Sequence, residues 1–273
     1  MFLYSEVMRL KYRQYGSGPA QLIILHGLLG SSQNWHSVAQ RLAEDLPTLV
    51  PDLRNHGDSP HGEHSLDLIS HDIYELLESE QLDSAFLLGH SMGGLSTMLF
   101  AFSHPERVRG LVVVDIAPDV AIPEMRTIFQ ALLNLDLARL RSREEADRLL
   151  QASIKSSTVR QFLLQNLKRH DDGRFTWRCN LRELSRFTEG RQQFKIAVQQ
   201  TYGGPSLFIA GGRSDYRIWE KEQIIEQHFS LSKLVVFPNA GHWVHFDAMA
   251  DFVKTVREFL MTRDLLSLRI QPL

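Results

Sequence analysis

The sequence contains one cysteine, no long apolar run and no excess of charge of either sign among its 273 residues. Because Cys179 has no second cysteine to pair with, an internal disulfide is excluded, and we expect a reducing compartment: the cytoplasm, with an organelle matrix as the alternative. The 30 basic and 32 acidic side chains nearly balance, so neither nucleic acid nor an anionic membrane surface is an expected partner. No stretch approaches the roughly 20 apolar residues of a membrane span, so we expect no stable membrane insertion.

Groups of metal-ligating side chains are also scarce. His56, His61 and His64 come closest, but they lack cysteine or carboxylate partners at a regular spacing. We therefore expect no metal ion, and nothing in the sequence indicates an organic cofactor. The sequence specifies no oligomeric state.

Short apolar runs alternate with amphipathic segments through most of the chain. A strand at residues 8–13 is predicted by alternating apolar and basic residues, and buried strands are predicted for QLIILHG, TLVPD, AFLLG and VRGLVVVD. Between these runs lie segments whose apolar residues recur at helical spacing. The alternation predicts an α/β fold with a doubly wound, mostly parallel sheet.

This rhythm changes between residues 118 and 202, where Leu, Arg, Gln and Glu dominate and no strand pattern is found. Ser142 and Glu145 predict a capping box, and residues 158–170 predict a further helix. We therefore predict a helical cap over 118–202, inserted into a core formed by residues 1–117 and 203–273. The aromatic residues expected in the core of the cap are Phe129, Phe162, Phe175 and Trp177.

Residues 89–93 read GHSMG and fit G-x-S-x-G, with a predicted strand before and a helix after. In that context a strained turn exposes Ser91 as a nucleophile, and larger side chains at the glycine positions would collide with the neighbouring strand and helix. The alternative is a glycine-rich turn in which Ser91 only caps the helix. The strand and helix context favours the nucleophile.

A serine nucleophile needs a general base and donors for a developing oxyanion. The amides of Leu28, in the tight loop after QLIILHG, and Met92, just after the serine, are the candidate donors. His242 follows a strand late in the chain and is the candidate base. We interpret His26 and His245 as structural or pocket-lining.

Two aspartates that follow predicted strands are candidates to orient the base. Asp115 lies 24 residues after Ser91, and Asp215 lies 27 residues before His242. The spacing leaves both open. A group of polar residues after TLVPD is expected to fix a loop beside the serine through hydrogen bonds from side chain to backbone: Asp52, Arg54, Asn55 and His56.

Five segments taken in order, LHGLLGSSQNW, DLRNHGDSP, GHSMGG, VVVDIAP and NAGHWVH, resemble the α/β-hydrolase superfamily. More narrowly, they are similar to the small serine esterases of the abhydrolase domain-containing 11 group. This resemblance implies an α/β-hydrolase fold and places the orienting acid at Asp115.

These observations lead to the hypothesis of a serine carboxylic-ester hydrolase with a Ser-His-Asp triad, an acyl-enzyme and a small acyl ester or thioester as substrate. We expect short to medium acyl chains because the cap helices are largely apolar. One alternative is a cofactor-free lyase or C–C bond hydrolase on the same fold, which would need cationic cap residues such as Arg126, Arg139, Arg141 and Arg143. The other is a non-catalytic ligand receptor.

Overall fold

The computed structural model describes residues 8–120, 125–189, 194–197 and 199–262. The β-strands are β1 (Tyr12–Tyr15), β2 (Leu22–Leu25), β3 (Thr48–Pro51), β4 (Ala85–His90), β5 (Val108–Val114), β6 (Asp119–Val120), β7 (Leu167–Arg169), β8 (Phe175–Trp177), β9 (Phe194–Lys195), β10 (Tyr202–Gly211) and β11 (Phe229–Phe237). The α-helices are α1 (His36–Leu42), α2 (Leu66–Ser79), α3 (Met92–Ser103), α4 (Arg126–Leu133), α5 (Arg143–Leu150), α6 (Ser157–Leu164), α7 (Leu181–Thr188), α8 (Glu222–His228), α9 (Val244–Asp247) and α10 (Met249–Met261).

Seven of the strands form one sheet in the order β1-β3-β2-β4-β5-β10-β11. β1 is antiparallel to β3, and every other pair in the sheet is parallel. Apolar residues of α2, α3 and α8 pack on one face, and those of α1 and α10 pack on the other. Because helices cover both faces, β2, β4 and most of β5 are buried along their length. The predicted mostly parallel, doubly wound sheet is confirmed.

The first strand begins later than the sequence pattern predicts. The predicted strand covers residues 8–13, whereas β1 runs from Tyr12 to Tyr15. The Lys11 C=O accepts from the Asp52 N–H at 2.8 Å, in register with the pairing of β1 and β3, but the Lys11 N–H donates to Ser59 Oγ at 2.8 Å. Because this N–H bonds a side chain of the loop after β3, the ladder begins only at Tyr12.

The segment from 125 to 189, which we call the insertion, forms α4 to α7 and the β7–β8 hairpin around a separate apolar cluster. The expectation of no strand between 118 and 202 was wrong, because β6, β7, β8 and β9 lie there. Strands of two or three residues are too short to produce a periodic pattern. The helix predicted for 158–170 ends at Leu164, since the chain then enters β7.

Packing within the insertion follows most of the predictions made from its aromatic and capping residues. Phe129 and Phe175 are buried in its core, and Phe162 and Trp177 are half-buried against it. Phe162 also lines the main cavity of the protein. The Ser142 hydroxyl caps α5 by accepting from the Glu145 N–H at 3.1 Å. The Glu145 carboxylate does not complete the capping box, because it accepts from the Arg141 N–H instead.

Candidate active site

Ser91 occupies a strained turn between β4 and α3. Its backbone has φ 51° and ψ −119°, a conformation that a residue with a side chain rarely adopts. The Ser91 N–H donates to the Val114 C=O of β5 at 3.0 Å, and its C=O accepts from the Leu95 N–H in α3. The turn therefore fixes Ser91 at the carboxyl end of the sheet, where its side chain lines the cavity.

The two glycines that flank Ser91 are required by close backbone packing. A Cβ at Gly89 would lie 2.4 Å from the Gly93 carbonyl oxygen, and one at Gly93 would lie 2.5 Å from the Leu25 carbonyl oxygen. Real side chains do not tolerate such distances to backbone atoms. The predicted steric reason for small residues on both sides of the serine is confirmed.

His242 and Asp115 meet above the end of β5. Asp115 follows that strand directly, is fully buried, and has its Oδ2 atom 2.7 Å from His242 Nδ1. The Gly211 N–H donates to Asp115 Oδ1 at 2.8 Å, and the Ser214 hydroxyl donates to Oδ2. Because an ionised carboxylate only accepts, the proton of a neutral His242 lies on Nδ1. His242 Nε2 is then free to accept a proton.

Asp215 lies on the loop after β10 and lines the same cavity. Its side chain is exposed, and it has no hydrogen-bond or ion-pair partner among the residues that the structure describes. The neighbouring Ser214 faces inward and contacts Asp115 instead. The structure thus pairs His242 with Asp115 and leaves Asp215 at the cavity wall.

Tyr216 and His90 hold the imidazole from two sides, and sequence reasoning missed both. The Tyr216 ring stacks on His242 at a centroid distance of 4.5 Å. Burial raises the pKa of Tyr216 to about 12, so the phenol stays protonated near neutral pH. His90 Nε2–H donates to the His242 C=O at 2.9 Å. One signal in the sequence could have identified them: Tyr216 directly follows Asp215, and His90 directly precedes Ser91.

The two residues whose amides are candidate oxyanion donors, Leu28 and Met92, line the cavity beside Ser91. Met92 is the first residue of α3, and the first amides of a helix have no carbonyl partner within that helix. Leu28 lies in the loop after β2, and its N–H donates to no group in the described part of the chain. Both residues line the cavity, as expected for donors to an anion.

Two buried histidines fix the loop that contains Leu28. The Leu53 N–H donates to His26 Nε2 at 3.0 Å, so Nδ1 carries the proton and donates to the Gly27 C=O at 2.8 Å. Burial lowers the pKa of His26 to about 4. His56 accepts from the Leu29 N–H at 3.1 Å, and burial also lowers its pKa well below the usual value. Both are neutral supports near pH 7.

The other polar residues after β3 also form hydrogen bonds that fix loops. Asp52 accepts from the Ser32 N–H at 2.7 Å and from the Asp58 N–H at 2.9 Å. Arg54 donates to the Glu63 C=O at 3.0 Å, and it also forms a bidentate ion pair with Asp72, with both N–O distances 2.6 Å. Asn55 Nδ2 donates to the Gly62 C=O at 2.8 Å. The predicted role of this group in fixing a loop is confirmed.

The described residues offer few groups suited to metal binding or to catalysis by a cysteine nucleophile. Within residues 8–120, 125–189, 194–197 and 199–262, no three or more His, Cys, Asp or Glu side chains are arranged to hold a metal ion. His56 uses both ring nitrogens in hydrogen bonds. Burial raises the pKa of the Cys179 thiol to about 12, so this cysteine is not a thiolate nucleophile near neutral pH. No helix in these ranges is long and apolar enough to cross a membrane.

A cavity of about 410 Å³ lies between the insertion and the carboxyl end of the sheet. His245 lines it, stacked on Trp35 at a centroid distance of 4.0 Å. The wall contributed by the insertion is apolar apart from one hydroxyl, that of Thr188. Its residues are Met125, Ile128, Val159, Phe162, Leu163, Phe187 and Thr188. The arginines considered for an acidic substrate, Arg126, Arg139, Arg141 and Arg143, do not line the cavity. Arg213 is its one lining arginine or lysine among the described residues.

Comparison with known proteins agrees with this architecture. Residues 22–255 match the alpha/beta hydrolase family. The chain is 35% identical to the sn-1-specific diacylglycerol lipase ABHD11 of Xenopus tropicalis over 267 residues, which cover 94% of this chain and 83% of that protein. It is 30% identical to the esterase YbfF of Escherichia coli (strain K12) over 250 residues, covering 90% of this chain and 94% of that protein.

The structure of a marine microorganism esterase is also similar. It has a TM-score of 0.87 and 33% sequence identity, and the match covers 92% of this chain and 99% of that one. These similarities confirm the resemblance to the abhydrolase domain-containing 11 group that the five sequence segments indicated. The chain belongs to the alpha/beta hydrolase family and is a hydrolase.

Proposed function

We propose that the protein is a serine ester hydrolase in which Ser91 is the nucleophile, His242 the general base and Asp115 the orienting acid. The observation that carries the proposal is the 2.7 Å contact between His242 Nδ1 and Asp115 Oδ2, beside a serine at a strained turn. This tautomer leaves His242 Nε2 as the proton acceptor for the Ser91 hydroxyl.

The reaction proceeds through an acyl-enzyme. Ser91 Oγ bonds to the acyl carbon as its proton moves to His242 Nε2, and the Leu28 and Met92 amides stabilise the resulting oxyanion. When the tetrahedral intermediate collapses, the bond to the alcohol or thiol breaks and His242 returns the proton to that leaving group. Water then attacks the acyl-enzyme with His242 as base, and the carboxylic acid leaves while Ser91 recovers its proton.

The preferred substrates are esters or thioesters with short to medium acyl chains. An apolar cavity of about 410 Å³ offers room for such a chain but not for the three long chains of a triglyceride. Relatives named as a diacylglycerol lipase and an esterase support an acyl ester as the class. In this proposal residues 118–202 form a cap over a core of 1–117 and 203–273, and the lone Cys179 suits the reducing cytoplasm.

The proposal is tested with a fluorophosphonate probe and a panel of p-nitrophenyl esters of increasing acyl length. We expect covalent labelling and turnover in the wild type, and loss of turnover by several orders of magnitude in Ser91→Ala and His242→Ala with cooperative folding retained. More than about a tenth of wild-type turnover in either variant would contradict the role of that residue.

Further outcomes of the same assays separate the alternative functions. Labelling without ester turnover would favour lyase chemistry, and neither labelling nor turnover would favour a ligand receptor. Faster hydrolysis of an emulsified long-chain triglyceride than of soluble butyrate esters would contradict the proposed chain-length preference.

A further inference from the structure

A buried asparagine of the insertion reaches across to the loop that carries Leu28. The Asn166 side chain is 4% exposed, and its Nδ2 donates to the Leu29 carbonyl oxygen at 2.7 Å. The two residues are 137 positions apart in the chain. This contact joins the insertion directly to the residue that follows the proposed oxyanion donor.

Leu29 is held in an unfavourable conformation from both sides. Its φ is 59°, which is rare for a residue with a branched side chain, and it is 1% exposed. The core holds its N–H through His56 Nε2 at 3.1 Å, and the insertion holds its C=O through Asn166. Neither peptide group of Leu29 can rotate without breaking one of these buried hydrogen bonds.

The same loop is fixed on the other side of Leu28. The Gly27 C=O accepts from the His26 ring at 2.8 Å and from the Gly30 N–H at 3.0 Å. The Gly27 C=O and the Leu28 N–H belong to one peptide group, so these two contacts hold the Leu28 N–H directly. The Gly30 N–H that makes one of them belongs to the same peptide group as the Leu29 C=O, which Asn166 holds. Of these contacts, the one to Asn166 is made by the insertion.

We propose that Asn166 is a positioning residue for the oxyanion hole, so that the Leu28 amide is correctly oriented only while the insertion is seated on the core. This inference rests on the proposed ester hydrolysis and adds a specificity device to it. A substrate too bulky for the closed cavity must displace the insertion and thereby break the Asn166–Leu29 contact. Such a substrate is then discriminated against in kcat, even where it binds.

Loss of the asparagine amide has a definite physical effect. The buried Leu29 C=O loses its donor from the insertion, which favours relaxation of its positive φ and rotation of the adjoining peptides. Removing an oxyanion donor outright lowers kcat by about 10²- to 10³-fold in a serine protease. Because Leu28 would be misoriented and not lost, we expect kcat to fall about 10- to 100-fold with a change in KM of less than about threefold.

The experiment compares Asn166→Leu with Gln165→Leu. Gln165 is exposed, and its side chain hydrogen-bonds Asn34 of the core. Its replacement therefore also removes a contact between the insertion and the core, but it leaves the hydrogen bonds of Leu29 intact. Each variant is assayed on a soluble p-nitrophenyl ester and on its thionoester, in which sulfur replaces the carbonyl oxygen. Since sulfur is a weak hydrogen-bond acceptor, the ratio of ester to thionoester kcat/KM reports the strength of the oxyanion hole.

We expect the ester-to-thionoester ratio to fall at least about fivefold in Asn166→Leu and to stay at the wild-type value in Gln165→Leu. If Asn166→Leu does not fold cooperatively, Asn166→Ala removes the donor without adding volume, and the same fall is expected. An unchanged ratio in the folded Asn166 variant, with or without a loss of kcat, would overturn the inference. Absence of labelling and turnover in the wild type would instead refute the proposed function.

Discussion

Replacing Asp115 by asparagine tests the proposed triad most sharply, because this carboxylate accepts from three donors at once. His242 Nδ1 and the Ser214 hydroxyl contact Oδ2, and the Gly211 N–H contacts Oδ1. An amide offers one acceptor oxygen and one NH₂ group in the same space. Whichever way it turns, its NH₂ faces a buried donor.

The damaging orientation is the one with NH₂ at the Oδ2 position. The His242 ring must then carry its proton on Nε2, where it can no longer accept from Ser91. The equivalent change in a serine protease lowers kcat by about 10⁴-fold, which corresponds to about 5.4 kcal/mol of activation free energy. Asp215→Asn alters an exposed side chain with no partner in the described ranges, so we expect a loss of tenfold or less, about 1.4 kcal/mol.

The assay measures kcat/KM for both variants on one soluble butyrate ester, with circular dichroism and thermal unfolding to check that each variant folds. A far larger loss in Asp115→Asn is the expected result. If Asp215→Asn were the crippled variant, the assignment of the acid would be wrong. Moderate, similar losses would mean that the two carboxylates share the task.

Three further perturbations have defined outcomes. Gly93→Ala should lower both Tm and ester turnover because its Cβ would lie 2.5 Å from the Leu25 carbonyl oxygen. In Gly203→Ala the added Cβ has no atom within 4 Å, so Tm and turnover should stay unchanged. Equal Tm and turnover in the two variants would contradict the packing argument. His90→Leu removes the donor to the His242 C=O and should lower kcat at least tenfold. His104→Leu, at the far end of α3, should not lower kcat in this way. Equal kcat values for the two variants would refute the proposed role of His90. Burial lowers the pKa of His26 from 6.5 to about 4, so the unfolded state binds more protons than the folded state between these pH values. The free energy of unfolding therefore decreases as pH falls from 6.5 toward 4, by about 3 kcal/mol for this residue. Equal free energies of urea unfolding at about pH 7 and about pH 4.5 would exclude this linkage.

The sequence determined those features that depend on local pattern. Buried strands such as Leu22–Leu25 are continuous apolar runs, and the turn at Ser91 is specified by glycines that no other residue can replace there. The short β7–β8 hairpin escaped prediction because three residues are fewer than any periodic signal needs. The end of α6 escaped as well, because its apolar pattern continues into β7.

Only the tertiary structure decided which side chains meet. Asp115 and Asp215 both follow neighbouring parallel strands, and their spacing along the chain does not distinguish them. Asp115 leaves β5 at once with φ 51° and is buried against His242, while Asp215 lies four residues beyond the end of β10 and is exposed. The Asn166–Leu29 contact joins residues 137 apart, and no local pattern encodes it. A sequence fixes the turn that presents a functional group, but the partners of that group depend on how distant segments pack.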